Sequence, residues 1–342
     1  MSIKQLATEL NISTATISYI MNGKAREKRI SVDLEEKVKK FAIEHNYKPN
    51  QLASGLRSGK TKIICLMVED IADVFFASVA GNIEQIAYDK GYKIIYCSTK
   101  NDTKKTQELI NTFRNRNVDG YIITPPNGIE KDMLSLIEEN LPVVTFDRKV
   151  NSEKISFVGM DNFESSFNAT KHLQEQGYKN IALVTLDSSQ SQMQERLGGY
   201  EKALKNIGKE TIIEKIDYTH RHDTTIIDQI EKLLVTNPTI DAVYFATNYL
   251  AVSGLEAINR LGLKIPSELG VVVFDDNDLF RVHQPTITAI SQPIAEMSVQ
   301  LINILLNHLE QGKKYTPQIS ISPATLVIRQ SSVRTKEKGK KK

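Results

Sequence analysis

A recurring pattern of polar side chains stands at or just beyond the ends of short apolar runs: Glu69, Asp70, Asp73, Asp147, Arg148, Asp161, Asn248, Asp275 and Asp276. Carboxylates, amides and guanidinium groups can hydrogen-bond vicinal hydroxyls. Aromatics such as Phe75, Phe76 or Phe146 can stack on the apolar face of a sugar. One such residue is more often a cap or a turn former. Their repetition after run upon run points instead to a polar ligand cleft, because ligands of open α/β sheets bind beyond the carboxyl ends of the strands.

Catalysis finds no comparable constellation. The six histidines are scattered, neither a G-x-S-x-G elbow nor an H-E-x-x-H pair occurs, and no catalytic residue, metal site or cofactor is expected. His220-Arg221-His222 has no Cys or third His nearby in sequence. Cys65 and Cys97 lie in apolar runs and read as core thiols; two cysteines make no disulfide framework and suit a reducing cytosol. The stretch Gly55–Thr61 imitates a phosphate loop. Only three residues separate its glycines, however, and its apolar strand follows instead of preceding it, so nucleotide hydrolysis is rejected.

A second chemistry sits near the N-terminus, on a segment of short or planar side chains: Thr14, Ala15, Thr16, Ser18 and Tyr19. A helix so lined can lie deep in a DNA major groove, whereas a surface helix more often carries Glu and Lys. The elements that would position it are legible. Ser2 can cap a helix with apolar positions Ile3, Leu6, Ala7 and Leu10. Ser13 can cap the next, with Ala15, Ile17, Ile20 and Met21 as candidate buried positions and Asn22-Gly23 as its stop. A third helix from Ser31 or Val32 adds Leu34, Val38, Phe41 and Ala42 to a three-helix core. Two helices of about two turns joined by a tight turn have the dimensions of a helix-turn-helix. Beyond it, Pro49 bars Lys48 from easy helical geometry, and Asn50 can cap a short, marginal helix over Gln51–Arg57.

Behind the cleft residues lie apolar runs at Ile63–Val68, Lys93–Cys97, Gly120–Ile123, Val143–Phe146, Ile181–Leu186, Ala242–Phe245 and Val271–Phe274. Helical patterns alternate with them at Gly81–Lys90, Thr103–Asn115, Phe163–Gln176 and Leu250–Leu261. Such alternation argues parallel sheets covered on both faces. Gly91-Tyr92-Lys93 and Gly177-Tyr178-Lys179 echo one another and suggest two similar lobes.

Charge is segregated along the same divisions. Residues 1–61 carry 11 Lys/Arg against 6 Asp/Glu, residues 334–342 carry 6 against 1, and the middle is acidic with 27 against 34, within a net charge of +3. A basic end meeting a polyanion and an acidic body with another task is the reading this supports; the last nine residues read as a solvated, disordered tail. No run approaches the roughly 20 apolar residues of a membrane span, and no secretory leader opens the chain. A cytoplasmic protein without a membrane role is expected.

At this point the chain resembles the lactose-repressor/galactose-repressor (LacI/GalR) family of bacterial regulators. Matching residues run Ile3–Ala7, Ile12–Ser18, Asn22–Lys24, Tyr47–Ala53 and Leu56 in the head. In the body they are Asp70–Phe76, Phe146–Arg148, Arg196–Tyr200, Phe245–Asn248, Gly262–Pro266, Phe274–Asp276 and Ile328–Ser331. The fold so implied is an all-α helix-turn-helix head over 1–48, a hinge helix and linker over 49–60, and a periplasmic-binding-protein-like body of two parallel-sheet lobes over 61–333, then the tail 334–342. By the resemblance, Thr14 and Ala15 make base contacts, while Ser13, Thr16, Ser18 and Asn22 set the helix on phosphates. The hinge, begun by Asn50, wedges Leu56 into the minor groove with Ala53 beside it. Phe75, Asp147, Arg148, Arg196, Asn248 and Asp275 become the effector contacts.

Two departures concern the head. Tyr19, also on the DNA-facing helix, stands where most members carry Arg, which puts the operator preference in doubt. The loop Lys24–Ile30 is about three residues longer than usual, and its four basic residues could contact phosphates or simply be solvated. In the body, Tyr249 replaces an Asp usual after Asn248, and Val273 replaces a Gly. Arg148 and Arg196 together would permit a sugar phosphate or sugar acid, although neutral sugars also use such arginines. The function implied is a homodimeric repressor of a near-palindromic operator, controlled by a small ligand, most simply a sugar. The alternative is a soluble cytoplasmic sugar-binding protein without a DNA role, which leaves residues 1–61 without a task.

Overall fold

The computed structural model describes residues 1–47, 60–218 and 224–334. The expected hinge helix with Asn50, Ala53 and Leu56, the stretch His220-Arg221-His222 and all of the basic tail beyond Arg334 lie outside the described residues. The chain divides into two compact units with a boundary between Lys62 and Ile63.

The first unit is the three-helix head. Helix α1 (Ile3–Leu10) begins in a reciprocal cap: Gln5 N–H donates to Ser2 Oγ at 3.3 Å, and Ser2 N–H donates to Gln5 Oε1 at 2.8 Å. Asn11, in the left-handed region at φ +53°, ends it. Helix α2 (Thr14–Met21) starts where Ser13 Oγ accepts from Thr16 N–H at 3.0 Å. Helix α3 (Val32–Glu44) places Asp33 and Glu35 against its positive end. Leu6, Ala7, Ile17, Ile20, Ala25 and Val38 form the buried core, with Leu34 and Phe41 packed against it. Ala15, expected among the buried positions, is exposed. It lies on the opposite face of α2 from Ile17 and Ile20, where no described helix covers it.

The second unit alternates strands and helices. Its first lobe runs β1 (Ile63–Val68), α4 (Val74–Asp89), β2 (Lys93–Ser98), α5 (Thr103–Asn115), β3 (Gly120–Ile123), α6 (Glu130–Glu138), β4 (Val143–Phe146) and β5 (Ser156–Met160). The second follows with α7 (Asn162–Glu175), β6 (Ile181–Leu186), α8 (Ser191–Lys205), β7 (Ile212–Ile216), α9 (Thr225–Thr236), β8 (Ala242–Phe245), α10 (Asn248–Arg260), β9 (Gly270–Phe274), α11 (Asp278–Val282) and β10 (Thr288–Ser291). The chain then returns as α12 (Ile294–Gln311) and β11 (Ile319–Ser322) and crosses once more into β12 (Thr325–Val327).

The two sheets share one topology: β11-β5-β4-β3-β1-β2 in the first lobe and β12-β10-β9-β8-β6-β7 in the second. Pairings are parallel, as the continuous apolar runs demand, with one exception among the described strands: β12 is antiparallel to β10. Strands end at the cleft, so a chain crossing there from β11 must enter the second sheet pointing away from it. Helix α4 starts seven residues before the expected Gly81, because Asp73 caps it through Phe75 N–H at 2.9 Å and Phe75 and Phe76 extend its buried face. The echo of Gly91-Tyr92-Lys93 in Gly177-Tyr178-Lys179 does not mark equivalent positions: the first opens β2, whose counterpart is β7, and the second opens β6. Both are helix ends whose glycines take positive φ, +77° and +88°, the conformation in which a Cβ is strained.

Candidate functional site

On the head, Thr14, Ala15 and Tyr19 are exposed along α2, and Thr16 and Ser18 are half-buried. Ser13, Thr16, Ser18 and Asn22 are tied to the helix frame. Ser13 Oγ and Thr16 Oγ1 lie 2.9 Å apart, and Asn22 Nδ2 donates to Ser18 O at 2.8 Å and to Ser18 Oγ at 3.3 Å. The face is polar, shallow and free of carboxylates, a surface suited to phosphates and base edges. The loop after α2 is more than a solvated connection. Lys28 N–H donates to Lys24 O at 3.1 Å, Arg29 N–H to Arg26 O at 3.1 Å and Ile30 N–H to Ala25 O at 2.9 Å, the paired bonds of a helical turn ended by a left-handed residue. Arg29 is that residue, at φ +54°. Ala25 is buried and Ile30 packs on the head core, which pins both ends of the turn.

In the body, all six expected effector residues, Phe75, Asp147, Arg148, Arg196, Asn248 and Asp275, line one cleft between the lobes. Asp147 follows β4 and Asp275 follows β9, equivalent strands of the two sheets. Asp73, at the start of α4, faces the Asn248 side chain across the cleft, which favours its ionised form. Burial pushes the Asp147 carboxyl up to about 7; Arg196 works against that shift, and Asp275 and Asp73 add to it. Burial also raises Asp73, with Asp275 contributing.

Arg196 is held between these acids. Its guanidinium carbon lies 3.5 Å from the centre of the Phe274 ring. Nε donates to Asn162 Oδ1 at 2.9 Å, Nη1 donates to Ala246 O at 2.8 Å, and Nη1 stands 3.8 Å from Asp275 Oδ2. Arg148 is engaged differently. It pairs with Glu69, donates from Nη1 to Asn101 Oδ1 at 2.8 Å, and its Nε lies 3.6 Å from Asp147 Oδ2. Across the cleft, Tyr218 OH donates to Glu69 Oε1 at 2.7 Å, Gln190 Nε2 to Asn101 Oδ1 at 2.8 Å and Gln192 Nε2 to Asp147 Oδ2 at 3.4 Å.

Of the remaining post-strand residues, Glu69 and Asp73 line the cleft. Asp276 instead pairs with Arg329 at 2.6 Å, and Asp161 accepts from Ser165 Oγ at 2.8 Å and Ala324 N–H at 2.9 Å. Phe76 lines the cleft, while Phe146 is fully buried in the core. Leu186, Gln190, Gln192, Met193, Thr247, Tyr249 and Gln292 complete the lining. Gln190 and Gln192 follow β6, so the post-strand rule could have found them. Gln292 follows β10, whose sequence, Thr-Ala-Ile-Ser, is too short and polar to announce a strand. Gln292 Nε2 donates to Asp275 Oδ1 at 2.5 Å. Gln192 Oε1 and Gln292 Oε1 are buried without a hydrogen-bond partner among the described residues.

A DNA-reading helix pair on one unit and an inter-lobe polar cleft on the other define a ligand-responsive transcription regulator. Residues 2–50 match the model of bacterial regulatory proteins of the lacI family, and residues 61–329 match that of periplasmic binding proteins and the sugar-binding domain of the LacI family. The chain belongs to the LacI family of bacterial transcription regulators.

Similar proteins include the ribose operon repressor of Halalkalibacterium halodurans, 29% identical over 97% of either chain. Catabolite control protein A of Priestia megaterium is 28% identical over 97% of this chain and 99% of its own. Among solved structures, the lac repressor dimer bound to operator and an anti-inducer shares the fold, with TM-score 0.86 at 20% identity over 98% of this chain and 99% of the other. A LacI-type regulator from Alkaliphilus metalliredigens, complexed with D-xylulofuranose, gives 0.69 at 22% identity over 80% and 100%. No described helix is long and apolar enough to cross a membrane.

Proposed function

We infer that the protein is a cytoplasmic, homodimeric repressor that binds a near-palindromic operator and whose cleft takes a neutral polyhydroxylated ligand, a sugar or sugar alcohol. The observation that carries the ligand class is the excess of acceptors over free donors in the cleft. Four carboxylates, Glu69, Asp73, Asp147 and Asp275, face two guanidiniums, one of which is already matched by Glu69. The unpartnered Gln192 and Gln292 oxygens add two more acceptors. Buried acceptors favour a ligand that brings hydroxyl donors. A phosphate or acid would meet like charge at Asp275 and Asp73, and at Asp147 above about pH 7, which makes the anionic ligands that two arginines alone would permit the weaker reading.

Phe75, at 7% exposure beside this set, offers the apolar face of a sugar its partner. The contacts proposed for DNA remain Ser13, Thr14, Ala15, Thr16, Ser18, Tyr19 and Asn22 on the head, with Asn50, Ala53 and Leu56 in the linker over 49–60. Those relatives named for the ribose operon, and the solved relative complexed with D-xylulofuranose, support a sugar effector. Thermal-shift screening of neutral sugars, sugar acids and sugar phosphates tests the ligand class. A ligand at about 100 times its Kd adds about 2.7 kcal/mol of stability. Stabilisation confined to phosphorylated or acidic sugars would overturn the neutral-ligand reading.

A further inference from the structure

We propose that Lys28 and Tyr19 form a single DNA-reading unit assembled from two elements. Tyr19 lies on α2, the helix that enters the groove, and Lys28 belongs to the turn that follows it. The Lys28 ammonium lies 5.3 Å from the centre of the Tyr19 ring, within cation–π range. Tyr19 is 37% exposed, so its ring is a platform on the reading face and no part of the core.

The turn carrying Lys28 is built to hold that place. Buried Ala25 anchors one end and Ile30 the other, and the bonds Arg29 N–H to Arg26 O and Ile30 N–H to Ala25 O close it. Arg29 adopts the left-handed backbone that glycine would take without strain. A turn that tolerates this strain and exposes Arg26, Lys28 and Arg29 together is a specified basic element.

An ammonium offers donors only, and in the major groove the base edge presenting two adjacent acceptors and no donor is that of guanine, through N7 and O6, whereas thymine offers O4 alone beside its methyl group. The unit therefore selects guanine, with Tyr19 as the positioning residue and Lys28 as the contact. This rests on α2 being the DNA-reading helix, and the test separates the two. Full-length protein selects its site from a random duplex pool, and Lys28→Ala, Lys28→Gln, Tyr19→Phe and Tyr19→Ala are then measured on that site and on its single-base variants.

Lys28→Ala, Lys28→Gln and Tyr19→Ala are expected to weaken binding roughly 5- to 100-fold, to flatten the preference for one G·C pair in each half-site, and to be no worse combined than alone. Tyr19→Phe, which keeps the ring face, is expected to keep the G·C preference that Tyr19→Ala loses. The proposal is overturned if Lys28→Ala weakens all sequences equally with a salt slope lower by about 0.9, the mark of a lost phosphate contact. It is overturned equally if the Lys28 and Tyr19 losses add. A wild-type protein that selects no site would remove the DNA-reading function itself, and this proposal with it.

Discussion

Asp147 and Asp275 are counterparts in two lobes of one topology. Each is the first residue after its strand, β4 or β9, each follows a buried phenylalanine, and each holds a left-handed backbone, at φ +64° and +73°. Left-handed geometry strains most side chains and is best tolerated by Gly, Asn and Asp. The turn aims both carboxylates back into the cleft, so the strain coincides with the position of the ligand-facing groups.

Asp147→Asn and Asp275→Asn keep the turn, because Asn also tolerates this backbone, and remove one carboxylate each, that of Asp147 being ionised above about pH 7. Isothermal titration with the stabilising sugar is expected to show about 10- to 150-fold weaker binding for either variant, the loss of one charge-assisted hydrogen bond. Operator affinity without sugar should stay within about twofold. Unchanged sugar affinity would place the ligand elsewhere.

The Asp147 carboxyl, at about 7 in the folded protein against an ordinary 3.8, makes stability depend on pH with a definite sign. Between those values the folded form binds the proton more tightly than the unfolded chain, so stability falls as pH rises from about 4 to about 7. Asp147→Asn removes that slope. Its Tm relative to wild type, followed by calorimetry, should climb from pH 4.5 to pH 8; a constant difference would contradict the assignment.

Arg196 stacks on Phe274, donates to Asn162 and Ala246 and compensates Asp275. Arg196→Met leaves buried carboxylates without their cation and should cost about 3–5 kcal/mol in urea unfolding. Arg196→Lys keeps charge but loses the planar fork, and it is expected to fall between the two in stability while binding sugar poorly. Equal stability of all three would show that the guanidinium contacts are dispensable.

At Gly199, α8 packs directly on the backbone of α7. A Cβ there would lie 2.3 Å from Phe163 O and 2.9 Å from Phe167 N, backbone atoms that cannot step aside. Gly199→Ala should therefore destabilise the second lobe by at least about 1–3 kcal/mol. Gly81, mid-helix in α4 with nothing within 4 Å, is the control: Ala there should stabilise by up to about 1 kcal/mol. Denaturant melts of both variants check the pair.

The helices of the head and the ring of cleft residues were legible because their signals are local. A Ser cap, a Gly or Asn stop and a polar residue after an apolar run each lie within a few positions of what they predict. What escaped depends on distant partners. The adjacency Phe146-Asp147-Arg148 does not reveal that Arg148 pairs with Glu69, 79 residues away. Nor does it show that the pairing leaves the cleft rich in acceptors. Gln292 was hidden behind β10, a strand made by pairing with β9 more than by its own propensity. Helical spacing points Ala15 toward the core, but spacing cannot say which face a neighbour covers. The longer loop after α2 read as equally suited to solvent because its anchors, Ala25 and Ile30, become apolar contacts only once α3 has folded against them.

The most direct test is fluorescence anisotropy of the full-length protein on its selected operator, titrated with and without the sugar that stabilises it. The account predicts that the selected duplex binds at least about 10³-fold more tightly than a scrambled one. It also predicts that the sugar changes that affinity by tenfold or more, and that Asp147→Asn and Asp275→Asn keep the DNA binding while losing the response at the same sugar concentration. Operator affinity indifferent to a sugar that demonstrably occupies the cleft would contradict it.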